Sequence, residues 1–273
     1  MTAQNCFGRI FEHVTYKLRM ELKVMEAYTG FAYVYDEYMD NIPYEEWTTY
    51  LLELMKENQL AAPADIVELG CGTGTVTQIL DRAGYNCVGI DLSAEMLSVA
   101  MDKMYESEQQ IMYVQQDMRD FELPYEADGM VSIGDSMNYI TTSDDLKSVF
   151  KCVNQGLKPG GVFIFDLKTI HFFRDVLGDN TFAENRDNSA FIWDNFYDED
   201  NRNNEYDLAV FIENEDDGTF ERYEENHYQH GFTLEEVSEA VEAAGLKIRQ
   251  VYDAFTHDAP KEESERLYYI IEK

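Results

Sequence analysis

Ten residues, VELGCGTGTV (67–76), set Glu68 ahead of three glycines at alternate positions, Gly70, Gly72 and Gly74. Glycine allows positive φ and lets backbone approach a ligand with no Cβ in the way. A helix that follows such a turn offers unpaired N–H groups and a positive dipole end to an anion. Asp91 ends the next apolar run, 17 residues after Gly74, where an acid can accept both hydroxyls of a ribose. Asp117 and Met118 follow a third run, where an acid can take an adenine amino group while the thioether packs on the ring. Three ligand classes satisfy this pattern: S-adenosylmethionine (SAM) in a methyltransferase, a nicotinamide dinucleotide in a dehydrogenase, or a ligand held by a non-catalytic domain.

The dinucleotide fingerprint G-x-G-x-x-G discriminates among them. Its third glycine would fall on Thr75 or on Thr77, depending on register, and both registers fail. Candidates for acid–base work lie further along. NHYQHGF (226–232) carries His227 and His230, and imidazole titrates near neutral pH. On a strand these two point to opposite faces, so one at most looks inward, and His227 is favoured. GDSMNYI (134–140) supplies Asp135 and Tyr139, and aromatic faces such as Tyr139 can stabilise a sulfonium or a cationic substrate. Cys71 has no neighbour that would lower its pKa, so it reads as packing. Cys6, Cys71, Cys87 and Cys152 form no C-x-x-C pair, so free thiols and no metal site are expected.

The elements that must position these groups follow from periodicity. Phe11, Val14, Leu18, Leu22 and Met25 form a helical stripe in an extension over residues 1–27. A helix is expected from Tyr44 to Asn58. From Ile66 short apolar strands alternate with helices: DIVEL, CVGIDL, IMYVQQD, DGMVSIG and VFIFDL are strands, and Ser93 caps one of the helices between them. Such alternation implies βαβ units and a parallel sheet. After residue 178 the pattern changes. AFIWDNFY, EYDLAVFIE and TFERYEENHYQ alternate apolar and polar residues between turn-rich separators, so residues 179–230 read as a three-stranded antiparallel insertion, a lid over the substrate. Thr233 and Glu236 make a capping box for a helix ending at Gly245, before KIRQVYDAF and RLYYIIEK complete the sheet.

VELGCGTG, GIDLS, QQDM and LKPGGVFIFD, in this order and spacing, resemble the motifs of class I SAM-dependent methyltransferases. FAYVYDEYMDNIPYEEW with DSMNYI is similar to the YqeM-like group of small bacterial methyltransferases. The resemblance covers residues 28–273 and implies an α/β fold: a doubly wound, mostly parallel, seven-stranded Rossmann-like sheet with an antiparallel last strand. A core over 28–178 and 231–273 would bind SAM. It also implies that Glu68 and the glycine loop hold the methionine portion and that Asp91 binds ribose, with Leu92 and Met96 lining the pocket. Asp117 and Met118 would contact adenine, Gly134 and Asp135 would face the sulfonium and substrate, and Tyr28, Tyr33 and Tyr35 would close over the cofactor.

With 54 acids against 21 bases the net charge is −33, a surface that repels phosphate backbones, so DNA is not an expected partner. Residues 179–230 hold 16 acids and three bases, which favours a neutral or cationic acceptor. No apolar run approaches the roughly 20 residues of a membrane helix, and the first residues lack a signal-peptide pattern, so a cytoplasmic monomer or homodimer is expected. The expected reaction is methyl transfer to an oxygen or nitrogen of a small molecule. An RNA or protein acceptor, or a regulatory SAM-binding domain without turnover, stays open.

Overall fold

The computed structural model describes residues 32–38, 43–214 and 217–273. The stripe expected over 1–27, with Tyr28, lies outside the described residues, as does the side chain of Tyr33.

Alternation along each central strand builds two cores. On β5 (Leu157–Lys168), Val162 and Ile164 face one side of the sheet while Phe163, Phe165 and Leu167 face the other. On β11 (Arg266–Glu272), Tyr268 and Ile270 join the first set and Leu267, Tyr269 and Ile271 the second. Strands buried on both faces read as unbroken apolar runs for this reason. Helices α2 (Tyr44–Glu57) and α3 (Thr75–Arg82) cover one face with Leu51, Leu54, Val76 and Leu80. α5 (Ser143–Gly156) and α6 (Leu234–Ala243) cover the other with Leu146, Val149, Val237 and Val241. The caps are those expected from sequence: the Met96 N–H donates to Ser93 Oγ at the start of α4 (Ala94–Glu106), and Thr233 and Glu236 close a capping box on α6.

Seven strands are ordered β10-β11-β5-β4-β1-β2-β3, the others being β1 (Asp65–Leu69), β2 (Asn86–Asp91), β3 (Met112–Gln115), β4 (Ala127–Ser132) and β10 (Lys247–Asp253). β11 runs antiparallel to both its neighbours, as expected for the last strand. The carboxyl ends of β1, β2, β4, β5 and β10 and the start of β11 therefore share one edge, where a doubly wound sheet binds ligands.

Between β5 and α6 a second, antiparallel sheet holds β6 (Thr181–Asn185), β7 (Ser189–Asp198), β8 (Asn203–Glu213) and β9 (Phe220–His230). It has four strands where the sequence suggested three. β6 is a five-residue edge strand of exposed and half-buried residues, too short and too polar to announce itself. One face of this sheet packs on α1 (Ala32–Tyr38): Tyr38, Leu208 and Val210 form a third small core with Phe191, Trp193 and Tyr206 around it. Among the described residues no helix is long and apolar enough to cross a membrane.

Candidate active site

The glycine loop is stitched to β2: Gly70 and Cys71 donate to the Ile90 carbonyl at 2.8 and 3.0 Å. Gly70, Gly72 and Gly74 have φ of 69°, 52° and 75°, a region L side chains disfavour. At Gly70 the requirement is also steric, because a Cβ would lie 2.5 Å from Ser136, whose hydroxyl donates to the Gly70 carbonyl at 2.9 Å. A Cβ on Gly72 or on Gly134 would meet nothing within 4 Å, so backbone at both positions borders open space, a cradle at the ends of β1 and β4.

Acids ring that cradle. Asp91 Oδ2 accepts from Gly72 N–H at 2.7 Å and Oδ1 from Ser93 N–H at 2.9 Å, and burial pushes its pKa up. Each carboxylate oxygen keeps a second lone pair for a ligand hydroxyl. Glu68 is buried beneath the loop and accepts from the Thr77 hydroxyl. Burial raises its carboxyl to about 8, with Asp91 adding to the rise. Asp117 is gripped by Arg119, whose Nε lies 3.0 Å from both carboxylate oxygens. Burial works against its ionisation, but the Arg119 hydrogen bonds win and hold it below the usual carboxylate range. Met118 reaches to 3.4 Å of the Gly70 Cβ position, Met96 is buried, and Leu92 is 58% exposed.

Helix α1 is fastened to the loop by groups that sequence spacing did not reveal. Asp36 Oδ1 accepts from the Thr73 hydroxyl at 2.6 Å and Oδ2 pairs with Lys103 Nζ at 2.6 Å, while Lys103 also donates to Thr75 Oγ1 at 2.8 Å. Tyr35, half-buried on α1, hydrogen-bonds Tyr44, whose phenol burial pushes to about 12.

At the end of β4, Gly134 and Asp135 both have positive φ, 80° and 74°. Their N–H groups donate to Asp166 at 3.2 and 3.3 Å, which holds the turn. The Asp135 carboxylate pairs with Lys168 at 2.6 Å and with Arg266, which also bonds Asp166. Burial opposes the charge on Asp135, yet Arg266 and Lys168 hold its pKa low; burial and then the charge of Asp135 push Asp166 up. Lys168 and Arg266 also line a cleft of about 450 Å³ with Trp47, Phe172 and Phe255.

The turn continues through Ser136–Tyr139 and meets β9. Tyr139 Oη lies 3.0 Å from His227 Nδ1 and 3.0 Å from Tyr206 Oη. His227 is 1% exposed, stacks on Tyr206 with centroids 4.5 Å apart, and has Glu225 Oε2 3.2 Å from Nε2. His230 points to the other face, where Nδ1 lies 2.7 Å from Asn203 Oδ1, and burial lowers its pKa. The structure thus brings Glu68, the three glycines, Asp91, Gly134, Asp135, Tyr139 and His227 to one sheet edge. Sequence reasoning missed Asp36, Lys103, Asp166, Arg266 and Glu225. Only Glu225 left a signal, two residues before His227 and so on the same strand face.

Residues 66–161 match a family model described as a methyltransferase domain. Over 247 residues the chain is 36% identical to YqeM of Bacillus subtilis (strain 168), whose name assigns it to the methyltransferases, covering 90% of this chain and 97% of that one. The chain belongs to the YqeM family of SAM-dependent methyltransferases. A crystal structure of a SAM-dependent methyltransferase from Clostridium acetobutylicum ATCC 824 superposes with TM-score 0.80 at 29% identity, over 90% of this chain and 99% of that one. SAM-bound CalS10 from Micromonospora echinaspora, an amino pentose methyltransferase, shares the fold at TM-score 0.69 and 16% identity, over 90% and 98% of the two chains. In this methyltransferase the open backbone at Gly72 and Gly134, with Asp91 beside it, fits a zwitterionic nucleoside such as SAM.

Proposed function

We propose that this methyltransferase acts on a small-molecule acceptor, at an oxygen or nitrogen, bound between the cradle at Gly134 and the face of the four-stranded sheet that carries His227. The observation that carries this reading is the 3.0 Å approach of His227 to Tyr139, which joins the insertion to the turn leaving β4. When bound, SAM supplies an activated methyl group, so no enzyme nucleophile is needed. The glycine loop and Glu68 would hold its amino-acid end, Asp91 its ribose, and Met96, Leu92, Asp117 and Met118 the adenine side. Asp135, committed to Lys168 and Arg266, shapes the turn rather than moving a proton. Tyr35 and Tyr38, which pack α1 against the four-stranded sheet, would close the space over the cofactor, with the insertion as its lid.

The cleft of about 450 Å³ beside Lys168 and Arg266 has none of Gly134, Tyr139 or His227 in its lining, so the class of acceptor is read from charge and from the fold relatives. The excess of acids over residues 179–230 supports a neutral or cationic one. The amino pentose acceptor of the CalS10 fold relative is of this kind. The test is calorimetry with SAM, followed by transfer of radiolabelled methyl to amino sugars, simple amines and hydroxy compounds. We expect SAM binding and labelling of an amine or alcohol. Preferential labelling of polyanions, RNA or protein overturns the reading.

A further inference from the structure

We infer, building on the acceptor reading above, that Tyr139, His227 and Glu225 form a proton relay, with Tyr206 as its brace, and that the acceptor is one that must lose a proton on methylation. Four geometric facts carry this. Glu225 and His227 sit two residues apart on β9, so both side chains enter the same buried face, at 3% and 1% exposure. The relay takes Glu225 as a carboxylate, which only accepts, so at 3.2 Å it places the ring proton on Nε2 and turns Nδ1 into an acceptor. The Tyr139 hydroxyl then donates to Nδ1 at 3.0 Å. Tyr206 lies opposite His227 in the β8–β9 register, stacks on the imidazole at 11° and reaches Tyr139 Oη at 3.0 Å.

The roles follow from position. His227 has one nitrogen on Glu225 and the other on Tyr139, so the group that meets the acceptor is the Tyr139 phenol, on the turn that leaves Gly134. As the acceptor's lone pair bonds to the methyl carbon, the carbon–sulfur pair leaves with sulfur. The acceptor's proton passes to Tyr139 Oη while the Tyr139 proton passes to His227 Nδ1. The resulting imidazolium is balanced by Glu225, and its proton returns to solvent after product leaves. Tyr139 is the catalytic residue in this scheme, and Glu225 is a positioning residue that acts through His227. Glu225 on β9, Tyr206 on β8 and Tyr139 on the turn are titratable groups that face the ring. Hydroxyls and primary or secondary amines fit such a relay; tertiary amines and thioethers, whose methylation releases no proton, do not use it.

Two measurements on the full chain test this. In ¹⁵N-histidine spectra, with the His227 signals assigned by their loss in His227→Gln, the relay requires the Nε2–H tautomer. Glu225→Gln, whose amide can donate to Nε2, should admit the Nδ1–H tautomer. A wild-type ring protonated on Nδ1 overturns the relay whether or not an acceptor has been found. With radiolabelled SAM and the amine and alcohol panel, Tyr139→Phe and Glu225→Gln should each lose about 10²-fold in kcat, the span of a general base, with calorimetric SAM affinity unchanged. If the wild type labels nothing while binding SAM, the acceptor reading fails and the tautomer still decides the relay. If the wild type is active and both variants stay within about twofold of it, the relay fails and the acceptor reading stands.

Discussion

Glu68 is the acid whose state most constrains the cofactor loop. Its carboxyl is buried under that loop and pushed from 4.5 to about 8, so near neutral pH the folded protein holds a proton there that the unfolded chain has released. Stability follows the difference in bound protons between the two states. The contribution of Glu68 is therefore fully present below about pH 4.5, falls as pH rises, and is gone above about 8. The whole interval is worth about 5 kcal/mol at 1.36 kcal/mol per pH unit. Glu68→Gln removes the ionisation while its amide oxygen still accepts from Thr77. Denaturant unfolding of both proteins at pH 5, 6.5 and 8 isolates the site, because the remaining acids titrate alike in the two. The variant should roughly match wild type at pH 5 and gain on it steadily, by about 3–4 kcal/mol at pH 8. Parallel profiles, or a variant that loses ground as pH rises, would show that Glu68 is ionised in the fold and would refute the burial argument.

Asp91→Ala should weaken SAM binding by about 1–3 kcal/mol, the range for hydrogen bonds to a charged group, and unchanged calorimetric affinity would remove Asp91 from the site. Gly72→Ala places a methyl in the cradle at φ 52°, so a cost of about 1–2 kcal/mol in stability should come with a larger loss of SAM affinity. A variant that binds SAM normally would place the ligand elsewhere. Asp36→Asn loosens α1 from Thr73 and Lys103. Because that pair is partly exposed, SAM affinity should fall by no more than about fivefold, read by calorimetry in low salt.

The cofactor half was legible because its determinants are local. The three glycines and Glu68 fall within seven residues, and Asp91 is placed by a strand whose length the apolar run announces. A local turn at the end of a strand needs only consecutive residues to specify it. The cluster of Asp135, Asp166, Lys168 and Arg266 is different. Its members come from the ends of β4 and β5 and the start of β11, and they meet only because β11 inserts antiparallel beside β5, pairing Arg266 with Lys168. No spacing in the sequence encodes that meeting. The Asp36 clip is of the same type, with partners 37 and 67 residues away.

The acceptor side depends on one further variable, strand register. His227 faces Tyr139 because it pairs with Tyr206 across β8 and β9, and a one-residue slip would turn every side chain of β9 to the opposite face. What holds the register lies far from the chemistry: in the β8–β9 turn the Asn214 N–H donates to the Thr219 carbonyl at 2.7 Å, and Gly218 takes φ 69°. At the other end of the hairpin, Gly231 N–H donates to the Arg202 carbonyl at 2.9 Å, and Arg202 is itself held by the capping-box acid Glu236. The acidic, glycine-ended turn that reads as a solvated separator is therefore part of what aims the imidazole. The contribution of its described residues Asn214 and Gly218 is to hold the turn that makes Glu225, His227 and Tyr206 share a face.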